Sequence, residues 1–234
     1  KLQGTLRNVA WARHVEQLVT VARSDNQLVI VQVVLQKEHI QQHKNLAGEP
    51  RDTVLLNHDI IQQIAITEET LQQFQAYATA AKGAQIAGAI DKVLDLTVQY
   101  SKEREQFGRP IHRFQLVQQH LAQIAGEQAI VSTAIENVTA AILKGSFIDE
   151  IGYTTIRLDE AIKLVTASAH QVFAAIGVTH EHSLHQYTRR LWSWREDGLT
   201  ASYWKKQLAK VLLESSEDNI WAYLTNRESS FQLN

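Results

Sequence analysis

The spacing of apolar positions changes once along this chain. Up to about residue 65 they alternate, or run together over strand lengths, in LQGTLR, EQLVTVAR and QLVIVQVV. Asp25-Asn26 separates the last two, and a polar loop from Lys37 to Pro50 follows. RDTVLLNHDI then reads as one or two further strands. From Thr67 the period becomes helical: Thr67 caps the start, Glu68 and Glu69 complement the helix dipole, and the pattern runs to about Glu105. Ala78, Ala81, Ala84, Ala87 and Gly88 make its middle a surface that another helix can approach closely.

A second helix is expected from about Phe114 to Leu143, with Val117, Leu121, Ile124, Val131, Ile135, Val138 and Ile142 on one stripe and Lys144-Gly145 closing it. A third, about Thr154 to Ile176, carries Leu158, Ile162, Val165, Ala169, Val172 and Phe173, with Gly177 as its expected C-cap. Shorter helical pieces follow His180, one about Leu199 to Leu213, and then a polar tail with Trp221 and Tyr223. The fold class read from this order is α+β, mostly α: a partial antiparallel β-domain over residues 1–65, then an up-and-down helical bundle over 66–234. A few strands alone bury too little, so the sheet is expected to need helices or an upstream segment against it.

Composition narrows the function classes. With 23 basic and 25 acidic residues in 234 there is no global field, so neither nucleic acid nor an anionic membrane is an expected partner. Polar residues interrupt the apolar runs before the roughly 18 needed to cross a bilayer, and a cytoplasmic protein is the expectation. The absence of cysteine excludes disulfides and thiol chemistry. Methionine is absent too, even as initiator. The reading is a chain without its true N-terminus, or one in which residues such as Ile90 and Ile124 stand where Met is usual. His170, His180, His182 and His185 have the composition of a metal cluster, but His180-x-His182 lacks the i, i+4 spacing of helical zinc motifs, and no metal is expected. No nucleophile elbow is present, which argues against a hydrolase.

The stretch richest in chemistry is YSKEREQFGRPIHRFQ, Tyr100 to Gln115. It joins a helix end to a helix start through Gly108 and Pro110, and gathers Arg104, Arg109, His112 and Arg113 with Phe107 and Phe114 interleaved. Cations at such a junction suit a phosphate or pyrophosphate. A solvated basic turn between two bundle helices is the plain alternative. The pattern Tyr-x-x-x-Arg-x-Gln-Phe-Gly-x-x-Ile-x-x-Phe-Gln resembles the signature of the acyl-CoA dehydrogenase family, flavoenzymes that oxidise the Cα–Cβ bond of acyl thioesters. HQVFAAIGVTHEHSLHQYTRR, His170 to Arg190, resembles that family's later motif, in which Gln opens a glycine-rich turn before Thr-x-Glu and a downstream Arg.

The resemblance implies a helical bundle of the acyl-CoA dehydrogenase C-terminal type, FAD as cofactor, an acyl-CoA substrate as in fatty acid metabolism, and an electron-transfer flavoprotein as onward partner. It implies a homodimer or homotetramer, or a heteromer, because Arg104, Gln106, Phe107 and Gln115 match positions that contact the flavin dinucleotide of a neighbouring subunit. Gln171 matches the residue that reaches the adenine end, Ala174-Ala175 replace the family's glycine pair there, and Thr200 matches a Thr near the flavin. Phe114 stands where some members have His. The family's catalytic carboxylate, counted from Arg189, falls on Gly198, and the alternative site on the first long helix falls on Ala78. Asp197 and Glu196 are therefore the candidate bases. Asn8 and Ala10 replace residues that line the flavin ring, with Trp11 next to them. The rival expectation is a non-catalytic subunit of the same fold that supports a catalytic partner. A plain helical oligomerisation module, which would bind no flavin, is a third.

Overall fold

A computed structural model of the chain describes residues 1–145 and 147–214. The chain divides into two compact units, Lys1–Phe74 and a second that begins at Gln75. In the first, β1 (Leu2–Ala10), β2 (Gln17–Ser24), β3 (Gln27–Val34), β4 (Ile40–Gln41), β5 (Arg51–His58) and β6 (Ile60–Ile66) form two three-stranded antiparallel sheets. Their orders are β1-β5-β4 and β2-β3-β6. The β2–β3 hairpin is in unbroken register from Gln17↔Val34 to Ser24↔Gln27. Its two-residue turn puts Asp25 and Asn26 at φ of 49° and 68°, the paired left-handed backbone that a tight hairpin demands. Val29, Val31 and Val33 alternate inward and meet Leu2, Val54 and Leu56 in the core. The polar loop of residues 37–50 contains β4, and IIQQIAI, whose apolar alternation is weak, becomes β6 by pairing with β3.

A buried carboxylate holds this unit's loops. Asp52 is fully buried and ion-paired with Arg13. It also accepts the backbone N–H of Arg13 at 3.0 Å and of His43 at 3.1 Å. Arg13 in turn donates to the His43 carbonyl at 2.7 Å and to Gln42 Oε1 at 3.1 Å. The turn carrying Trp11, itself half exposed at a φ of 59°, is thereby tied to β5 and to the 42–43 loop.

The second unit is helical. α1 (Glu68–Glu103) is capped as the sequence implies, the Thr67 hydroxyl accepting the Thr70 N–H at 3.1 Å. α2 (Gln115–Lys144) stops at Gly145, whose φ of 80° lets its N–H return to the carbonyls of Ala141 and Ile142. α3 (Ile148–Phe173) starts six residues earlier than its clearest apolar period, because Phe147 and Ile151 pack into a cluster with Ala76, Val138 and Trp204. α4 (Leu184–Trp194) and α5 (Ala201–Glu214) complete the described bundle. The main core joins Ile86, Ile90 and Val93 of α1 to Ile124 and Val131 of α2, Leu158, Ile162 and Val165 of α3, and Leu191 of α4.

Two expectations need correcting. Gly177 is not the cap of α3: the helix ends at Phe173 and Ala174 takes the left-handed backbone. Gly177 is required by close approach, since a Cβ there would lie 2.8 Å from the Phe173 Cβ and 3.1 Å from His170 Nδ1. The stretch Ile148–Val178 is also long and apolar enough to cross a membrane by composition. Twelve of the 26 residues of α3 are buried in the bundle, so a core helix accounts for that apolarity. Trp221 and Tyr223 lie outside the described residues.

Candidate functional site

The Tyr100–Gln115 stretch folds as a hairpin between α1 and α2. β7 (Glu105–Gln106) and β8 (Arg109–Pro110) pair across Phe107-Gly108, at φ of 52° and 75°. A type I′ turn favours Asn-Gly there, and a bulky side chain costs backbone strain. Phe107 accepts that strain while its ring stands 92% exposed, which packing alone does not explain. Arg104 and Gln115 are exposed at the two roots of the hairpin, and neither side chain has a partner among the described residues. The Gln106 amide folds back to the Glu105 carbonyl at 2.7 Å.

Two of the other cations of the turn are already engaged. The Arg109 guanidinium lies 4.3 Å over the Phe114 ring, and Phe107 meets Phe114 edge-on at 6.1 Å. His112 sits 3.2 Å from the Ser101 carbonyl. Two exposed forks without a partner among the described residues, Arg104 and Arg113, therefore remain near a flat apolar ring and exposed carboxamides. That donor set fits a pyrophosphate flanked by a planar group.

The end of α3 shares this end of the bundle. Tyr100 stacks on Phe173 at 4.1 Å and 14°, and the His182 ring lies 4.5 Å from Phe173. Gln171, Ala174 and Ala175 follow on the exposed side. Beneath them His170 stacks on Trp192 at 5.5 Å and sets Nε2 3.1 Å from the Thr188 hydroxyl. Burial lowers its pKa below the usual imidazole value, favouring a neutral, fixed ring. His182 Nδ1 accepts the Leu184 N–H at 3.1 Å and His185 Nδ1 lies 2.8 Å from the His182 carbonyl, so these histidines serve the local turn. Ala174 has φ 52° and ψ −139°, a backbone that glycine adopts without penalty. Ala174→Gly is expected to stabilise the bundle by about 1 kcal/mol and raise its thermal midpoint by a few degrees, read by circular dichroism.

The candidate bases lie elsewhere, on the turn between α4 and α5. Asp197 Oδ2 is 3.4 Å from Nζ of Lys82 on α1, and both side chains are about three-quarters buried. Glu196 is exposed and ion-paired with Arg195 at 3.2 Å. Gly198 has φ 72°, so a glutamate there would be strained, and Ala78 is an exposed methyl one helical turn before Lys82. Thr200 opens α5, its carbonyl accepting the Trp204 N–H at 3.2 Å. Lys82 and Arg104 are 22 residues apart on and just beyond one helix, about 33 Å at about 1.5 Å per residue. The expected site residues thus form two groups: Arg104, Gln106, Phe107, Gln115, Gln171 and Ala175 at one end, Asp197, Glu196 and Thr200 far along the bundle. Lys82 was missed in the sequence, where one cation among alanines looks like an ordinary solvated position.

A long-helix bundle with a strained aromatic hairpin, preceded by a small β unit, defines the class. Residues 70–195 match the family model of the acyl-CoA dehydrogenase C-terminal domain. The chain belongs to the acyl-CoA dehydrogenase family. It is 31% identical over 169 residues to the acyl-CoA dehydrogenase IpdE2 of Mycolicibacterium smegmatis, covering 68% of this chain and 51% of that protein. The chain thus spans about half the length of this relative. Glutaryl-CoA dehydrogenase from Mycobacterium smegmatis superposes with a TM-score of 0.80 at 18% identity, over 93% of this chain and 59% of the other. A chain of the ChsE4-ChsE5 complex from Mycobacterium tuberculosis superposes at 0.78 and 19%, over 92% and 60%. At these identities the two structures establish the fold.

Proposed function

We propose that this chain is an FAD-dependent acyl-CoA dehydrogenase subunit that oxidises the Cα–Cβ bond of an acyl-CoA thioester. Phe107 carries the reading: an exposed aromatic ring held at a strained turn beside the unpartnered Arg104. Arg104 would pair with the pyrophosphate, Phe107 would cover an apolar face, and Gln115 and Gln171 would bond the polar edges. Bound FAD would supply an acceptor for the β-hydride; the chain's own part would be to take the α-proton, the role proposed for Asp197, whose carboxylate lies 3.4 Å from Lys82 Nζ. Because the hairpin and Asp197 lie about 33 Å apart by the helical rise, we assign them to two copies of the cofactor, each shared between subunits. A homodimer, a dimer of dimers or a heteromer satisfies this, with an electron-transfer flavoprotein reoxidising the flavin.

A second reading has its own support. Gly198 and Ala78, the family's two base positions, hold no carboxylate, and Asp197 is paired with Lys82. A non-catalytic subunit that completes a partner's flavin site fits these facts, and the similarity to a chain of a two-protein complex is in keeping with it.

The purified protein's visible spectrum, recorded anaerobically before and after a panel of acyl-CoA thioesters, tests both. Flavin bands that bleach with one thioester support the dehydrogenase. Bands that persist through the panel favour the non-catalytic subunit, and no flavin after reconstitution with FAD counts against both. Phe107→Asn is expected to leave the bundle's melting unchanged or slightly raised, since Asn tolerates this backbone, while weakening FAD binding about three- to ten-fold, as loss of one aromatic contact does. Flavin fluorescence titration against a thermal melt separates the two effects.

A further inference from the structure

His180, His182 and His185 crowd the corner between α3 and α4, and among the described residues His182 alone sets a ring nitrogen against a backbone N–H. Its Nδ1 accepts the Leu184 N–H at 3.1 Å. His185 Nδ1 lies 2.8 Å from the His182 carbonyl, to which it can only donate, and the His180 ring meets His185 edge-on at 5.0 Å. Leu184 is fully buried and opens α4, whose N-cap residue Ser183 makes no side-chain cap. Without His182 that N–H would be buried and unpaired. An imidazolium cannot accept a hydrogen bond, so a proton on Nδ1 breaks this contact. Another partner stands close by. The His182 ring lies 4.5 Å from Phe173 of α3 and edge-on at 5.9 Å from Tyr100 of α1. Glu103, three residues beyond Tyr100, is exposed and ends α1 directly before Arg104. It accepts Gln99 Nε2 at 2.8 Å and keeps further acceptor sites.

We propose that His182 is a positioning residue that makes flavin retention acid-sensitive: neutral, it holds the start of α4 through Leu184; protonated, it leaves that N–H for Glu103 and loosens the corner bordered by Gln171, Ala174 and Ala175. The inference rests on the proposed FAD reading, which places the adenine end of the cofactor at this corner. Burial, foremost, lowers the His182 pKa from the usual 6.5, while Glu103 raises it and His185 lowers it. A pKa lowered on folding gives stability that is present above 6.5 and is lost as pH falls below it. His170 is the other titratable ring here. Burial lowers its pKa, it stacks on Trp192, and its Nδ1 is buried without a hydrogen-bond partner, so a proton there would find nothing to bond. The loosening is local, because the core of the bundle lies along α1, α2 and α3 rather than in this corner.

The test measures FAD affinity by flavin fluorescence at pH 7.5 and 5.0 on the whole protein, in whatever assembly it forms. The parent is expected to bind FAD about ten-fold more weakly at the lower pH, the scale of one buried N–H losing its acceptor. Asn accepts an N–H two residues on at either pH, so His182→Asn should hold the change within about three-fold. His182→Phe, which keeps a ring and lacks the acceptor, should bind weakly at both. Glu103→Gln, at an exposed position, should move the parent's acid transition to lower pH. Hydrogen exchange, corrected for its intrinsic pH dependence, should show the Leu184 amide losing protection at pH 5.0 in the parent and keeping it in His182→Asn. The same pH dependence in the parent and His182→Asn, or unaltered protection at Leu184, overturns the inference. FAD bound equally at both pH values overturns the inference alone, whereas no flavin at either pH overturns the FAD reading and the inference with it.

Discussion

Asp52→Ala is expected to destabilise the β unit by about 3 kcal/mol or more, enough to unfold its loops at temperatures where the parent is intact. The carboxylate is fully buried and receives the Arg13 guanidinium together with the N–H groups of Arg13 and His43. Truncation leaves the two backbone N–H groups and Arg13 Nε without that acceptor, and a cation three-quarters or more out of water without its counter-charge. Hydrogen exchange by mass spectrometry locates the effect: the amides of residues 11–14 and 42–43 should exchange far faster while those of β2 and β3 change least. Unaltered exchange at Arg13 and His43 would count against the role given to Asp52. Acid acts in the same direction. The Arg13 hydrogen bond, foremost, holds the Asp52 pKa down at about 2 against a usual 3.8. The stabilisation is therefore complete above about pH 4 and is lost as pH falls toward 2. Because this network fixes the turn that carries Trp11, the first functional casualty should be whatever that half-exposed indole contacts.

The long helices were legible because their apolar stripes repeat over many turns and are punctuated by Thr67 and Gly145, residues whose chemistry marks an end. α3 was read short at its start because Asp149 and Glu150 interrupt the pattern, although they belong to its first turn and complement its dipole. β6 was read poorly because five of its seven residues are exposed, so its identity comes from backbone pairing with β3 rather than from burial. Gly177 misled for a related reason. A glycine after an apolar run suggests a cap, but this one is demanded by the nearness of Phe173 and His170, which only tertiary structure reveals.

The site was legible where it is local and obscure where it is assembled. Arg104 to Gln115 is one continuous stretch, and its turn glycine, aromatic residues and cations announce an exposed binding feature. Even so, sequence alone does not distinguish the free Arg104 from Arg109, which is spent on Phe114. Lys82 and Asp197 are 115 residues apart, and each looks unremarkable alone. Their meeting is visible only in three dimensions: the residue next to Gly198 is held by a cation from α1.

The bundle should be less stable near pH 7 than near pH 4, and Asp149→Asn should remove that difference. Asp149 stands in the first turn of α3, next to the Phe147–Tyr77 stack at 4.9 Å. One of its carboxylate oxygens is buried without a hydrogen-bond partner. Burial, and secondarily the neighbouring Glu150, raises its pKa from 3.8 to about 6. The helix dipole favours the ionised form, yet desolvation outweighs it here. A pKa raised on folding gives stability that is full below about 3.8 and is lost as pH rises through about 6. The rise of about two units sets a ceiling of about 3 kcal/mol, and partial solvent screening brings the expected loss to roughly 1–2 kcal/mol. Urea titrations followed by helical circular dichroism at pH 4, 5, 6 and 7 measure it. The parent should lose stability mainly between pH 4 and 6 and level off by pH 7, and Asp149→Asn should flatten the loss, with little difference between the two proteins near pH 4. An unchanged slope in the variant would move the origin of the pH dependence to another group. Since α3 anchors both α2 and α5, the same titration decides whether the far end of the bundle, where Trp204 covers Gly152, loosens between pH 4 and 6 before the hairpin end does.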